Sequence, residues 1–432
     1  VIIIHTQCLV GEEGVHMNLS SVGIENLPSD VVDSPYVVSL NLSHNRIESI
    51  SENAFRRLPK LQTLDLSNNK ISIKEIFSRF NHSCLTTLKM RFQSKENIRS
   101  ITPSYGYYND FNDRRQVYDE KHCLSYLPEL KKLDLRGNGK DIMELNLKTI
   151  APNLTHLDLS SNDLETSEFM RGLPFTITHL ILDDNKIRDL STDILNNIEK
   201  LSLDENLFTT LCVDDCSALT IKARTLKYLH LSGNAIEDIH IKDASAQFEW
   251  LELLDLSYNA ITQMDPAFKD VFPNLKHLLL NNNQLYTIPN VYAMNVLEHL
   301  DLSGNNIRSF SVNSLSVNDN LKNLQLRDNR ITVLGRNELN KFPTLTSLDL
   351  SNNTLEILRD GWLDENNSLE VLRLTDNRLT NFSSLCLSKL YHLKELHIEN
   401  NNFSVVYAND VANISENLTI YLNFAKSEDS LE

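Results

Sequence analysis

A short pattern of leucines with one asparagine recurs along almost the whole chain, and it constrains the fold more than any other feature. The pattern is LxxLxLxxNxL, found in LQTLDLSNNKI (61–71), LTHLDLSSNDL (154–164), LELLDLSYNAI (251–261), LEHLDLSGNNI (297–307) and LTSLDLSNNTL (345–355). Most steps between successive asparagines are 22–25 residues long, and the last four are 24. Such a period predicts an array in which each unit buries its apolar face against its neighbours.

The chain holds fifteen repeats, fourteen with the asparagine and one with Gln93 in its place. The asparagines are Asn45, Asn69, Asn138, Asn162, Asn185, Asn206, Asn234, Asn259, Asn283, Asn305, Asn329, Asn353, Asn377 and Asn401. The LxL core predicts a short strand whose leucines point inward and whose intervening residues face outward. We expect the asparagine side chain to bond backbone groups left unpaired in the bend that follows, which is a structural role.

This pattern resembles the leucine-rich-repeat family, and the outer halves AFRRLPKL (54–61) and AFKDVFPNL (267–275) resemble its 24-residue animal extracellular class. The resemblance implies an α/β repeat solenoid, a curved right-handed horseshoe with a parallel β-sheet on the concave face. Residues 1–37 are then a degenerate N-terminal cap with a capping strand. Residues 38–416 are the fifteen repeats with an insertion at about 94–122, and residues 417–432 are a C-terminal end with an incomplete cap.

One step is far too long, because Gln93 and Asn138 are 45 positions apart. The segment SYGYYNDFNDRRQVYDEKHC (104–123) contains no LxL core and is rich in tyrosine and arginine. Tyrosine offers a large contact area at low entropic cost, and arginine pairs with acidic or planar groups. These residues therefore predict a binding loop, formed by Tyr105, Tyr107, Tyr108, Phe111, Arg114, Arg115 and Tyr118. The alternatives are a surface loop packed back on the solenoid and a decayed repeat, suggested by NIRSI (97–101).

Two columns of titratable residues are expected on the concave face. Aspartates fall between the two core leucines at Asp65, Asp134, Asp158, Asp255, Asp301 and Asp349, and histidines lie two positions earlier at His156, His179, His277 and His299. Adjacent columns of this kind could bind a ligand, hold a metal or sense acidic pH. The alternative, which we favour, is a solvated acidic wall, because the repeat consensus itself produces HLDLS. We predict no metal and no cofactor.

Ten N-x-[ST] sequons predict N-glycosylation, at Asn18, Asn41, Asn81, Asn153, Asn352, Asn366, Asn381, Asn402, Asn413 and Asn417. None lies between residues 156 and 351. Because glycans occlude surface, this central stretch is where a protein partner could approach. Chance spacing in an asparagine-rich repeat is the alternative.

The six cysteines are too few to hold a chain of this length together. Cys84 and Cys123 flank the insertion and are predicted to pair, as are Cys212 and Cys216 in LCVDDC. Cys8 has no evident mate and is a candidate for a disulfide to another chain. Cys386 is expected to be a buried thiol.

Composition and motifs narrow the function. A net charge of −17 argues against nucleic acid and anionic membranes as partners. The chain contains none of the common catalytic signatures, so we expect no enzyme. No apolar run is long enough to span a membrane, so attachment to one would need a segment outside this chain.

The chain is similar in type to Toll and Toll-like receptor ectodomains and to soluble leucine-rich-repeat immune proteins of insects. This similarity implies extracellular recognition of a protein or microbial ligand, as a secreted binder or a receptor ectodomain, with homodimers or heterodimers frequent in such families. The alternatives are a neuronal or developmental cell-adhesion protein and a secreted enzyme inhibitor on the same scaffold.

Overall fold

The structure is a computed structural model that describes residues 14–29, 32–93, 125–192, 195–213, 219–243, 245, 247–291, 294–310, 318–363, 368–411 and 414–423. The chain divides into two compact units, Val1–Asn185 and Lys186–Glu432. In both units short parallel strands follow one another at the period that the sequence predicts.

The described part of the first unit contains nine strands. They are β1 (Val15–Asn18), β2 (Asn26–Leu27), β3 (Val37–Asn41), β4 (Ser49–Ile50), β5 (Thr63–Asp65), β6 (Thr87–Lys89), β7 (Lys132–Asp134), β8 (His156–Asp158) and β9 (His179–Ile181). Seven of them form a parallel sheet in the order β1-β3-β5-β6-β7-β8-β9. The remaining two, β2 and β4, pair with each other away from that sheet.

The described part of the second unit contains sixteen strands. They are β10 (Leu190–Ser191), β11 (Lys200–Ser202), β12 (Thr210–Val213), β13 (Leu219–Ile221), β14 (Tyr228–His230), β15 (Asp238–Ile241), β16 (Leu253–Asp255), β17 (His277–Leu279), β18 (His299–Asp301), β19 (Asn323–Gln325), β20 (Val333–Leu334), β21 (Ser347–Asp349), β22 (Ile357–Leu358), β23 (Val371–Arg373), β24 (Glu395–His397) and β25 (Thr419–Tyr421).

Ten of these form a parallel sheet in the order β11-β14-β16-β17-β18-β19-β21-β23-β24-β25. Two smaller sets, β10-β13-β12-β15 and β20-β22, lie apart from it.

Helical segments are short and follow the strands. The α-helices are α1 (Ile73–Arg79), α2 (Leu147–Ile150) and α3 (Phe268–Val271), and the 3-10 helices are Gly139–Glu144, Glu168–Gly172, Leu339–Lys341, Phe382–Leu385, Leu387–Lys389 and Ala408–Asp410. Among the described residues, none of the helices has the length and apolar character needed to cross a bilayer.

The core is a stack of leucines, one from the inner position of each large-sheet strand from β3 to β24. Leu64 pairs in register with Leu88, and Leu88 in turn with Leu133. All three side chains are buried, because successive residues of a strand point to opposite faces and the middle one faces inward. The predicted repeat solenoid with a parallel sheet is therefore confirmed.

The repeat asparagines form the predicted ladder of side-chain bonds. Asn69 Nδ2 donates to the carbonyls of Leu42 and Leu66, at 3.0 and 2.9 Å. Its Oδ1 accepts from the amide of Ile47 in the preceding repeat, at 3.0 Å. Gln93 makes the corresponding bonds, with Nε2 donating to the Leu66 carbonyl at 2.9 Å. The longer amide therefore takes the asparagine's place.

A second regularity accompanies the ladder. The residue directly before each ladder position has a positive φ, in all fifteen repeats. Three of these residues are glycines, Gly137, Gly233 and Gly304, and most others are polar. Asparagine and aspartate tolerate this left-handed conformation better than most residues, so the bend constrains sequence beyond the leucine pattern.

The long step between Gln93 and Asn138 is a single turn of the array. β6 and β7 are direct neighbours in the sheet, with Thr87 opposite Lys132. On the other side of the turn, Lys74 Nζ of α1 lies 2.8 Å from Glu144 Oε2. These contacts favour an insertion within one repeat over a decayed repeat lying between two complete repeats.

The segment predicted as a capping strand contains β1, which pairs in parallel with β3. The boundaries at residues 37 and 416 and the incomplete C-terminal cap remain predictions. Residues 1–13 and 424–432 lie outside the described part of the chain.

The ladder bonds are expected to carry a large share of local stability. In Asn353→Ala, the carbonyls of Leu326 and Leu350 and the amide of Ile331 lose their side-chain partner. Leaving buried backbone groups unsatisfied should lower the free energy of unfolding by about 3 kcal/mol. Urea denaturation followed by circular dichroism measures this loss.

The matched control is Asn340→Ala, since Asn340 makes one long bond of 3.4 Å to the exposed Asn337. We expect it to change stability by less than about 0.5 kcal/mol. Equal losses in the two variants would show that the ladder bonds have no special weight.

Candidate ligand-binding face

In the three-residue strands of the two large sheets, the first and third residues flank the inward middle residue and point away from the core. His156 and Asp158, for example, are partly exposed on either side of the buried Leu157. We call the surface formed by these outward side chains the strand face, one in each unit. It is the counterpart of the concave face expected from the sequence.

The aspartate column of the strand faces is tied to the backbone. Oδ1 of Asp65 accepts from the amide of Ser67 at 3.0 Å, and Oδ1 of Asp158 accepts from that of Ser160 at 2.9 Å. The same bond to the residue two positions later occurs at Asp134, Asp255, Asp301 and Asp349. These carboxylates stabilise the turn after the strand, which gives them a structural role.

In the first unit, His156 and His179 are stacked. Their ring centroids are 4.1 Å apart with 13° between the ring planes. Thr155 Oγ1 lies 2.8 Å from His156 Nδ1, and Thr178 Oγ1 lies 2.9 Å from His179 Nδ1. Burial, and to a lesser degree the charges of His179 and Lys132, lower the pKa of His156. His156 is therefore disposed to stay neutral near pH 7.

In the second unit, His277 and His299 adjoin at a greater separation. The ring centroids are 6.0 Å apart with 45° between the planes. Burial lowers the pKa of His299, Asp301 acts against this effect, and His277 adds to it. Within the described residues, no three histidine, cysteine or acidic side chains converge in a way that could hold a metal ion.

The first strand face also carries a group of cations that the sequence analysis overlooked. We call Lys89, Arg91, Lys131, Lys132 and Arg136 the cationic cluster. They lie on β6 and β7 or directly beside these strands, which are neighbours in the sheet. Basic side chains therefore accompany the aspartate column around these two strands, and the acidic wall favoured from the sequence remains a prediction. Aligning the repeats by column, beyond the Asp and His positions alone, would have revealed the cationic cluster.

The second unit has a different charge pattern in one column of the repeats, formed by the residue that directly precedes each strand of the large sheet. Glutamate and lysine alternate there, and the adjacent side chains form ion pairs. The pairs are Glu199–Lys227 (2.9 Å), Glu252–Lys276 (3.3 Å), Glu298–Lys322 (2.8 Å) and Glu370–Lys394 (2.8 Å). Each pair joins neighbouring repeats, so this column neutralises itself. We call it the Glu–Lys ladder.

The predicted binding loop lies outside the described residues, which stop at residue 93 and resume at residue 125. Tyr105, Tyr107, Tyr108, Phe111, Arg114, Arg115 and Tyr118 therefore remain predictions from sequence.

Eight of the ten sequon asparagines are described, and seven of them are exposed. Asn41, on β3, is half-buried. Asn366 and Asn413 lie outside the described residues. Among the strands of the described residues, only β1 and β3 contain a sequon asparagine, and β25 begins with Thr419, the last residue of the Asn417 sequon. Glycosylation itself remains a prediction.

The cysteines agree in part with expectation. Cys84 and Cys212 are disulfide-bonded, while their predicted partners Cys123 and Cys216, like Cys8, lie outside the described residues. These pairings therefore stay predictions, as does a link from Cys8 to another chain.

Among the described cysteines, Cys386 alone is a free thiol, and it is half-buried where full burial was expected. It lies between two short 3-10 helices whose leucines, Leu385 and Leu387, take the inward positions. Burial nevertheless raises the pKa of the Cys386 thiol.

Comparison with known proteins gives one consistent family. Models described as leucine-rich repeat match residues 15–73, 224–285 and 319–379, with further matches at 151–167 and 296–318. Mouse podocan is 26% identical over 397 residues, covering 68% of this chain and 64% of podocan. Human lumican is 29% identical over 283 residues, covering 63% of this chain and 74% of lumican.

The fold is also that of Drosophila Toll, solved as a complex with Spatzle. The TM-score is 0.65 at 16% identity, and the match covers 92% of this chain and 58% of that one. At this identity the likeness concerns the fold alone.

The histidine stack predicts pH-dependent stability. Because the pKa of His156 is lower in the folded chain than in the unfolded one, the unfolded chain binds more protons below the ordinary histidine pKa of about 6.5. The free energy of unfolding should therefore fall as pH drops from 7.5 to 5.5. In His156→Gln the fall should be smaller, as measured by urea denaturation at both values.

Lys132→Gln serves as the companion variant, since it removes one charge that lowers the pKa of His156. Its pH dependence should lie between those of wild type and His156→Gln. Parallel profiles for all three proteins would contradict the assignment.

Proposed function

Because the chain belongs to the leucine-rich-repeat family, we propose that it is a non-catalytic extracellular recognition protein that binds a protein partner through a strand face. One observation carries this proposal. The described strands β5–β25 contain no sequon asparagine, whereas seven exposed sequon asparagines are described, all but one of them outside the strands. Glycans would therefore leave most of the strand faces open to a large partner.

Two features support an extracellular location. Cys84 and Cys212 are disulfide-bonded, and disulfides persist mainly in oxidising compartments outside the cytosol. Exposed sequons point the same way, because N-glycans are added in the secretory pathway. Secretion as a soluble binder and display as a receptor ectodomain are both compatible with these features.

The type of partner follows from charge and from analogy. A net charge of −17 disfavours nucleic acid and anionic membrane surfaces. Toll, which shares the fold, was solved in complex with Spatzle. We extend this to a protein or microbial ligand for the present chain, bound by the strand face together with the inserted loop, and to dimer formation. An innate-immune role is part of the same proposal.

Glycan shielding tests the strand face directly. Gln325→Thr creates a sequon at Asn323 on β19. Thr87→Asn combined with Lys89→Thr creates one on β6. If a strand face is the binding surface, a glycan on at least one of them should abolish capture of a partner found by screening the secreted chain against purified extracellular proteins.

The matched control is Arg308→Thr, which creates a sequon at Asn306, beside the ladder residue Asn305 and outside the strands. Mass spectrometry establishes glycan occupancy in each variant. Unchanged capture of the partner by both strand-face variants would refute the proposal. It would also be refuted if the control variant lost as much capture as the strand-face variants do.

A further inference from the structure

We propose that the cationic cluster of the first unit is a docking site for a carboxylate-bearing segment of a protein partner. The inference rests on the proposed function and deepens it, because it gives the chemistry of the partner at one strand face. It rests on one observation, that the aspartates are more buried than the cations above them.

The cations of the cluster are more exposed than their counter-ions. The side chains of Lys89, Arg91 and Arg136 are 38–44% exposed. Their partners Asp65, Asp134 and Asp158 are only 14–23% exposed. The surface that a ligand meets is therefore basic, although the pairs are formally balanced.

The aspartates are also partly engaged elsewhere. The Oδ1 of each accepts a hydrogen bond from a backbone amide of the following turn, as described above. Arg91 contacts Asp134 through Nε, whereas Lys89 and Arg136 lie 3.9 and 3.7 Å from their carboxylates. At such distances Lys89 Nζ and the terminal nitrogens of Arg136 keep donor capacity for a ligand, whereas Arg136 Nε is buried.

Two further lysines add charge without compensation. Lys131 and Lys132 are exposed, and within the described part of the chain neither has an ion pair. Lys132 lies between Thr87 of β6 and His156 of β8 in the sheet register. Five cations on or beside β6 and β7 thus face three half-buried carboxylates, on β5, β7 and β8.

The Glu–Lys ladder of the second unit is an example of charged side chains that neutralise each other and leave no net charge for a ligand. Its glutamates are about as exposed as its lysines, for example 41% for Glu298 against 57% for Lys322. Exposed pairs of this kind neutralise each other at the surface and contribute little binding energy. The cationic cluster lacks this exposed acidic partner, and this difference distinguishes a docking site from a solvated surface.

A protein segment fits the cluster better than a polyanion does. Lys and Arg alternate with Asp65, Asp134 and Asp158, whose carboxylates would repel a densely sulfated or phosphorylated chain. Isolated glutamates or aspartates of a protein partner can instead contact the cations one at a time, with charge-assisted hydrogen bonds.

The test measures binding of two probes to the full chain, by fluorescence anisotropy at low and moderate salt. The probes are a short labelled peptide of alternating glutamate and serine and a labelled heparin fragment. We expect the peptide to bind more tightly than heparin and to weaken as salt rises. The double variant Lys131→Gln/Lys132→Gln should lower the affinity for the peptide by about tenfold.

The control is Lys276→Gln/Lys322→Gln, which removes the same charge from the Glu–Lys ladder. It should leave the peptide affinity within about twofold of wild type. An equal loss in both double variants would mean that only net charge matters, and this would overturn the docking site. Tighter binding of heparin, or no binding of the peptide, would overturn it too.

This failure is distinguishable from failure of the proposed function. If a strand-face glycan blocks capture of the partner while the Lys131/Lys132 variant captures it normally, the strand face stands and the docking site falls. If neither change matters, both proposals fall.

Discussion

The satisfaction of backbone polar groups inside each bend is the constraint on which the rest of the structure depends. Every turn directs carbonyls and amides toward an apolar stack of leucines, where an unpaired group would be costly. A single side-chain amide per repeat donates to two carbonyls and accepts from the preceding repeat, as Asn283 does with Leu256, Leu280 and Ile261. The same bonds couple each repeat to its neighbour, so the ladder fixes the spacing of strands along each unit.

The ladder also explains how far the fold could be predicted from sequence. Leucine spacing and the asparagine are local signals, and they suffice to predict the strands, the inward leucines and the role of Gln93 as a substitute. The side-chain geometry on the strand face could not be predicted in this way. It depends on which residues of different repeats become neighbours, and Arg91 contacts Asp134 from 43 positions away. The insertion lies between Arg91 and Asp134 in the sequence. Because it breaks the regular spacing there, the sequence does not show that the two residues belong to neighbouring strands.

The aspartate column shows why residue type alone misleads. An outward aspartate at a repeating position suggests an acidic surface that binds a ligand. In all six repeats of the aspartate column, however, its Oδ1 accepts a hydrogen bond from a backbone amide. What remains for recognition is the set of outward residues with no role in the turn. In the first unit these include lysines, arginines and the His156–His179 stack, and in the second unit the ladder of Glu–Lys pairs. A repeat scaffold thus separates residues that build the turn from residues that are free to vary, and function lies with the latter.

The two independent indications of a binding surface coincide in one turn. The sequence alone predicts that the insertion is a binding loop, from its tyrosines and from Arg114 and Arg115. The structure alone identifies the cationic cluster, from the burial of aspartates beneath exposed cations. The insertion begins directly after Gln93, two residues beyond Arg91, and the chain returns shortly before Lys131 and Lys132. A repeat array could accept an insertion in any of fifteen turns, so its position between the two strands of the cluster favours a shared role over a tolerated interruption.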